Sequence, residues 1–162
     1  MPRNIQSVRV PPPCRLIQFS CIGRHYFKKN LRHSRTRLHL HSMLKKINVA
    51  EKLSRIHEHW QPHIAGELNG QLVKLVKFQG EFLWHHHDNE DEMFFVVKGQ
   101  FRMEFQDKAV TIGEGEFIVV PRGVEHKPVA DEECWVMLFE PASTLNTGNV
   151  VNERTVRELK QV

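Results

Sequence analysis

The stretch Gly80-Glu81-Phe82-Leu83-Trp84-His85-His86-His87-Asp88-Asn89-Glu90-Asp91-Glu92-Met93-Phe94-Phe95-Val96-Val97-Lys98-Gly99 decides how this chain is read. On extended backbone successive side chains alternate between faces, so His85 and His87 point to one side and His86 to the other. Two imidazoles on one face stand about 7 Å apart along a strand, a separation that suits adjacent coordination positions. The polar Asp88–Asp91 segment reads as a turn that carries Glu92 to the head of the next strand. Farther on, Gly115-Glu116-Phe117-Ile118-Val119-Val120-Pro121-Arg122-Gly123-Val124-Glu125-His126 ends in a Pro-x-Gly turn, which aims His126 from a third strand. Three neutral nitrogens and one carboxylate form a donor set for a divalent first-row metal.

Around these stretches the chain reads as short strands. Gln71–Phe78 alternates, Met93–Lys98 is a nearly continuous apolar run, and Gln100–Phe105 sets Phe101, Met103 and Phe105 opposite Arg102 and Glu104. Glu116–Val120 and Cys134–Glu140 are two more β-rich runs. The breaks fall at Asn69-Gly70, Gly80, Asp88-Asn89, Lys98-Gly99, Gly113-Glu114-Gly115 and Pro121-Arg122-Gly123. Many short strands at this spacing predict an all-β sandwich or barrel. Short flanking helices are expected over residues 43–57 and over Glu153–Gln161, the second capped by Asn152. Phe94, Phe101, Met103, Phe105, Phe117, Trp135, Met137 and Phe139 read as core or pocket lining, and Cys134 as a small buried filler.

The 162 residues suffice for one domain, and the formal charge of +4 is unevenly spread. Residues 1–42 carry nine Lys or Arg and no acid; the other 14 bases, with all 19 acids, lie in residues 43–162, which therefore stand at −5. The break divides a basic N-terminal extension, residues 1–42, from a domain over residues 43–162. The extension, with its Pro11-Pro12-Pro13 run, is expected to be disordered. It reads as a stretch upstream of a true start at Met43, as a mitochondrial transit peptide, or as a nucleic-acid-binding arm. The domain lacks basic residues interleaved with aromatics, so no nucleic-acid partner is expected of it. No apolar run reaches the ~20 residues of a membrane-spanning helix. Three scattered cysteines make neither a disulfide framework nor a CxxC zinc site.

The two histidine stretches resemble the motifs of small single-domain cupins. The first such motif matches His85-x-His87, four residues, Glu92, six residues and Gly99; the second matches Gly115, five residues, Pro121-x-Gly123, two residues and His126. The resemblance covers most of residues 43–162 and none of residues 1–42, and the closest look is to bacterial cupins labelled mannose-6-phosphate-isomerase-like. It implies a jelly-roll β-barrel with one metal held by His85, His87, Glu92 and His126. Two departures stand out. Gly80 is followed by four residues before the first histidine where the pattern has five, which leaves open a register using His86 and Asp88. Ala130 replaces the asparagine that ends the second motif.

Four protein ligands leave an octahedral ion two open positions for water, dioxygen or a bidentate oxygen ligand. The resulting expectation is a metal-binding cupin acting on a small hydroxy or carbonyl compound or sugar derivative, by isomerase or dioxygenase chemistry. The alternative is a non-catalytic module that senses or carries a metal or small ligand. Fe, Mn, Ni and Zn are not distinguished by these donors. Only Glu125 and His86 are nominated as proton-transfer groups. Asp88, Glu90 and Asp91 read as a solvated rim. The segment His57-Glu58-His59-Trp60-Gln61-Pro62-His63 lacks a third ligand at defined spacing, and Trp60 is expected to pack over the barrel or at a dimer contact. The remaining expectations are a homodimer paired through barrel edges, and a cytoplasmic protein, or a mitochondrial one if residues 1–42 are a transit peptide.

Overall fold

Asn69 and Gly70 take left-handed φ angles of 53° and 76°. That pair of conformations is what a two-residue hairpin turn requires, and Asn-Gly adopts it with little strain. The turn joins β1 (His63–Leu68) to β2 (Gln71–Glu81). The structure, a computed structural model, describes residues 45–162; the expectations for residues 1–42 lie outside the described residues. After β2 come β3 (Glu92–Lys98), β4 (Gln100–Phe105), β5 (Ala109–Gly113), β6 (Phe117–Val120), β7 (His126–Pro141) and β8 (Lys160–Gln161). Among the described residues one short helix, α1 (Val49–Leu53), precedes them; its N-cap Asn48 accepts a hydrogen bond from the Glu51 N–H.

The eight strands form one sheet in the order β5-β4-β7-β2-β1-β8, with β3 pairing β6 and β7. All pairings are antiparallel except β1 with β8. The sixteen-residue β7 rolls the sheet. Its first residues pair with β4, Trp135 to Phe139 with β3, and Val129 to Pro141 with β2. This is the jelly-roll β-barrel architecture expected from the sequence.

Alternation divides the side chains into an inner and an outer set. Val76 and Phe78 of β2, Phe94 and Val96 of β3, Phe101 and Met103 of β4, and Cys134, Val136 and Leu138 of β7 fill the interior. On the outer face Leu53 and Ile56 cover Leu75, with Trp135 and Met137 packed against them. Trp135 and Met137 thus belong to this outer cluster, in the opposite phase to the interior residues of β7. Phe117, expected in the core, is 62% exposed because it lies on the outward phase of β6.

The C-terminal helix expected over Glu153–Gln161 does not form. Asn152 Oδ1 accepts from the Arg154 N–H, and Thr155 Oγ1 accepts from the Asn152 N–H. These local bonds satisfy the backbone in a turn. The chain then pairs Lys160 and Gln161 with β1.

Candidate metal centre

Two strands and the segment that bridges one of them converge at one end of the barrel. Glu92 is the first residue of β3, His126 the first of β7, and His85 pairs with His126 as an isolated antiparallel bridge. Each backbone donates to the other, His85 N–H to His126 O at 3.1 Å and His126 N–H to His85 O at 2.9 Å, so the two imidazoles lie side by side, with centroids 4.3 Å apart. Gly123, at φ 76°, donates its N–H to His87 O at 2.7 Å. The Pro121-x-Gly123 turn therefore holds the segment carrying His87.

One ligand atom from each of His85, His87, Glu92 and His126 lies within 4.8 Å of the others, and all four residues are buried. His86 points elsewhere and bonds Asp88 through Nε2 at 3.1 Å. The register built on His85 and His87 is thus the one that converges; His86 and Asp88 stand outside the cluster.

Two histidines are fixed by their Nδ1 atoms, which donate to carbonyls: His85 to Leu83 O at 3.0 Å and His126 to Val124 O at 2.9 Å. That leaves Nε2 of each as a lone-pair donor facing inward. Burial, reinforced by the neighbouring imidazoles, holds His85 neutral down to about 3 and His126 to about 4. Burial also lowers His87. Among the described residues His87 Nε2, His126 Nε2 and Glu92 Oε2 are buried without hydrogen-bond partners, and Glu92 Oε2 approaches the two nitrogens at 3.2 and 3.9 Å. Lone pairs so close repel unless something positive lies among them. A proton on Glu92, whose pKa burial pushes up to about 7, serves one contact. A cation serves all four donors, so the residues fit a metal.

Two neighbours of the cluster have no signal in the motifs. Lys74 and Glu140 are fully buried on the interior phases of β2 and β7, paired at 2.8 Å. Lys74 Nζ also donates to Thr144 O. Burial next to the Glu92 carboxyl raises Glu140 to about 8. The second neighbour is the loop after β7. Asn149 Oδ1 accepts from the His86 N–H at 3.0 Å, and the Asn149 N–H donates to His86 O at 3.0 Å. This two-way clasp fixes the peptide between His85 and His87.

A cavity of about 30 Å³ borders the cluster at His85 and Glu92. Its other walls are Phe78, Phe82, Phe94 and Leu138, closed at the rim by Trp60 and Asn146. Trp60 packs over the barrel, as expected. Glu125 lies away from this cavity and accepts from Gln106 Nε2. Neither proton-transfer group nominated from the sequence, Glu125 or His86, lines the cavity.

A rolled antiparallel sheet with three histidines and a glutamate on its inner face defines a cupin. The cupin-domain family model matches residues 72–139. A cupin-2 domain containing protein from Shewanella frigidimarina is 46% identical, with a TM-score of 0.58 over 59% of this chain and 93% of that one. A protein from Neisseria meningitidis is 37% identical, with a TM-score of 0.56 over 60% of this chain and all of the other. An uncharacterized protein of Bacillus subtilis is 36% identical over 62 residues, which span 55% of its length. The chain belongs to the cupin family.

Proposed function

We propose that His85, His87, Glu92 and His126 bind one divalent first-row metal ion, and that the protein works on a small oxygen-donor ligand that reaches this ion through the adjoining cavity. The observation that carries the reading is the set of orphaned, mutually facing lone pairs on His87, His126 and Glu92. A bound ion of this kind supplies Lewis acidity, and as iron(II) also the activation of dioxygen. The chain's own residues supply neutral nitrogens locked in one tautomer, a carboxylate, and largely apolar walls.

Of the two chemistries expected, the cavity favours the dioxygenase type over the isomerase type. Moving a proton between carbons needs a positioned acid or base. Among the described residues, the only titratable groups in the lining are His85 and Glu92, both assigned to the metal. The same feature supports a second reading, a module that holds a metal or small ligand without turnover. A homodimer is retained as the expected assembly: β6 is paired on one side only and presents Phe117 and Val119 to solvent.

The test begins with chelator-stripped protein titrated with Mn, Fe, Ni and Zn salts. One ion per chain is expected, with affinity reduced about 100-fold or more in His126→Ala and Glu92→Ala. Absence of binding by every metal would overturn the reading. Oxygen consumption by iron-loaded protein over a panel of small hydroxy-carbonyl compounds then separates the enzyme from the module.

A further inference from the structure

Trp60 has a left-handed φ of 61°, a conformation that a bulky side chain adopts at a cost. It is held there from several directions. Its backbone N–H donates to Lys77 O at 2.9 Å and its indole Nε1 to Gln79 O at 2.8 Å. The ring stacks on Phe78 and Phe82, with centroids 4.4 and 4.9 Å away. Of the cavity's lining residues only Trp60 and Asn146 are partly exposed; the rest are buried. The rim between bulk solvent and this cavity is therefore the Trp60 indole and one amide.

That amide is not free to meet a ligand. Asn146 Nδ2 donates to Arg154 O at 2.9 Å, and Oδ1 accepts from the Val156 N–H at 2.8 Å. Among the described residues, no lysine or arginine lines the cavity. Lys74 is committed to Glu140 and Thr144, and Arg154 lies over the Phe82 ring outside the lining, donating to Glu81 O. Apart from the metal ligands, nothing in the walls pairs with a phosphate or a row of hydroxyls, and burying such groups unpaired is costly. The free volume of about 30 Å³ holds roughly two water-sized groups.

Resting on the metal reading above, we propose that Trp60 is the specificity-determining residue of the site. The ligand class it admits is a small molecule with an apolar body, uncharged except at the oxygens that meet the metal. Phosphorylated sugars and polyols fall outside that class.

The test uses cobalt(II)-loaded full-length protein, read by its visible absorption spectrum, with acetohydroxamate, benzohydroxamate and phosphoglycolate as probes. Acetohydroxamate should shift the wild-type spectrum, benzohydroxamate should bind at least about tenfold more weakly, and phosphoglycolate should leave the spectrum unchanged. Trp60→Gly, in which glycine suits the left-handed backbone, should bind benzohydroxamate at least about tenfold more tightly than wild type. Trp60→Leu, which keeps apolar cover, should fall between and guards against a glycine variant that does not fold. Equal benzohydroxamate affinity in wild type and a folded variant overturns the proposal, as does tighter binding of phosphoglycolate than of acetohydroxamate. A wild-type protein that acquires no cobalt spectrum overturns the metal reading itself, and this proposal with it.

Discussion

Gly148 lies so close to the histidine segment that a Cβ there would fall 2.1 Å from His86 O and 3.3 Å from the His85 ring. Its φ of 51° is also left-handed. Gly148→Ala must push the His85–His87 strand outward, and should lower metal affinity about 10- to 100-fold while costing about 1–3 kcal/mol of stability. Gly80 is the control: its φ is 76°, but a Cβ there meets nothing within 4 Å. Gly80→Ala should carry the backbone strain of about 1 kcal/mol and bind metal as wild type does. Metal titration and denaturant unfolding of the two variants give the comparison, and equal metal affinity would contradict the clasp. The four cluster residues were legible because each sits at a fixed spacing from a turn. Gly148 and Asn149 were not. The segment Pro141–Asn149 reads as a loop, and past Pro141, the last residue of β7, it is one, but its role arises from a contact with residues far earlier in the chain.

At the scale of the elements, the interior phase of β2 runs Leu72, Lys74, Val76, Phe78, and that of β7 ends Val136, Leu138, Glu140. A charged residue in the apolar phase of a strand reads as solvated when the strand is seen alone. Its burial becomes intelligible only when the register sets β2 against β7, with Lys74 opposite Leu138 and Leu72 opposite Glu140. Alternation therefore revealed which strands exist, whereas the pairing of Lys74 with Glu140 depends on the long-range register. Phe117 departs from its expected place for a related reason: β6 is only four residues long, too short for its sequence to reveal which phase faces in. Taking one partner from a buried ion pair strands the other, so Lys74→Met and Glu140→Leu should each cost about 3 kcal/mol, while the double variant recovers most of the loss. Urea unfolding of the metal-free proteins at pH 9, where Glu140 has lost its proton, measures the coupling. Additive losses in the double variant would show that the two side chains act independently.

Across the whole molecule, the roll of the sheet around β7 gathers the buried titratable groups at one end of the barrel, and their opposed shifts shape how stability depends on pH. Burial holds His85 and His126 at about 3 and about 4, below their ordinary value of 6.5. The unfolded chain therefore binds more protons than the folded one between those limits, and stability falls as pH drops below about 6.5. Burial raises Glu92 to about 7 and Glu140 to about 8, above their ordinary 4.5. Here the folded chain keeps the protons, so this contribution is full below 4.5 and is lost as pH rises through 7 and 8. The two effects oppose each other between about 4.5 and 6.5; above that window only the carboxyls titrate. Chelator-treated protein should thus be most stable in mildly acidic solution and lose melting temperature steadily from pH 6.5 to 8.5. A bound cation takes the place of the proton on Glu92, which removes that share of the alkaline slope and makes metal uptake stronger as pH rises. The gap in melting temperature between metal-loaded and stripped protein should therefore widen over the same interval. Thermal unfolding of both forms across this range is the check, and a gap that narrows above pH 6.5 would mean that Glu92 does not exchange its proton for the metal.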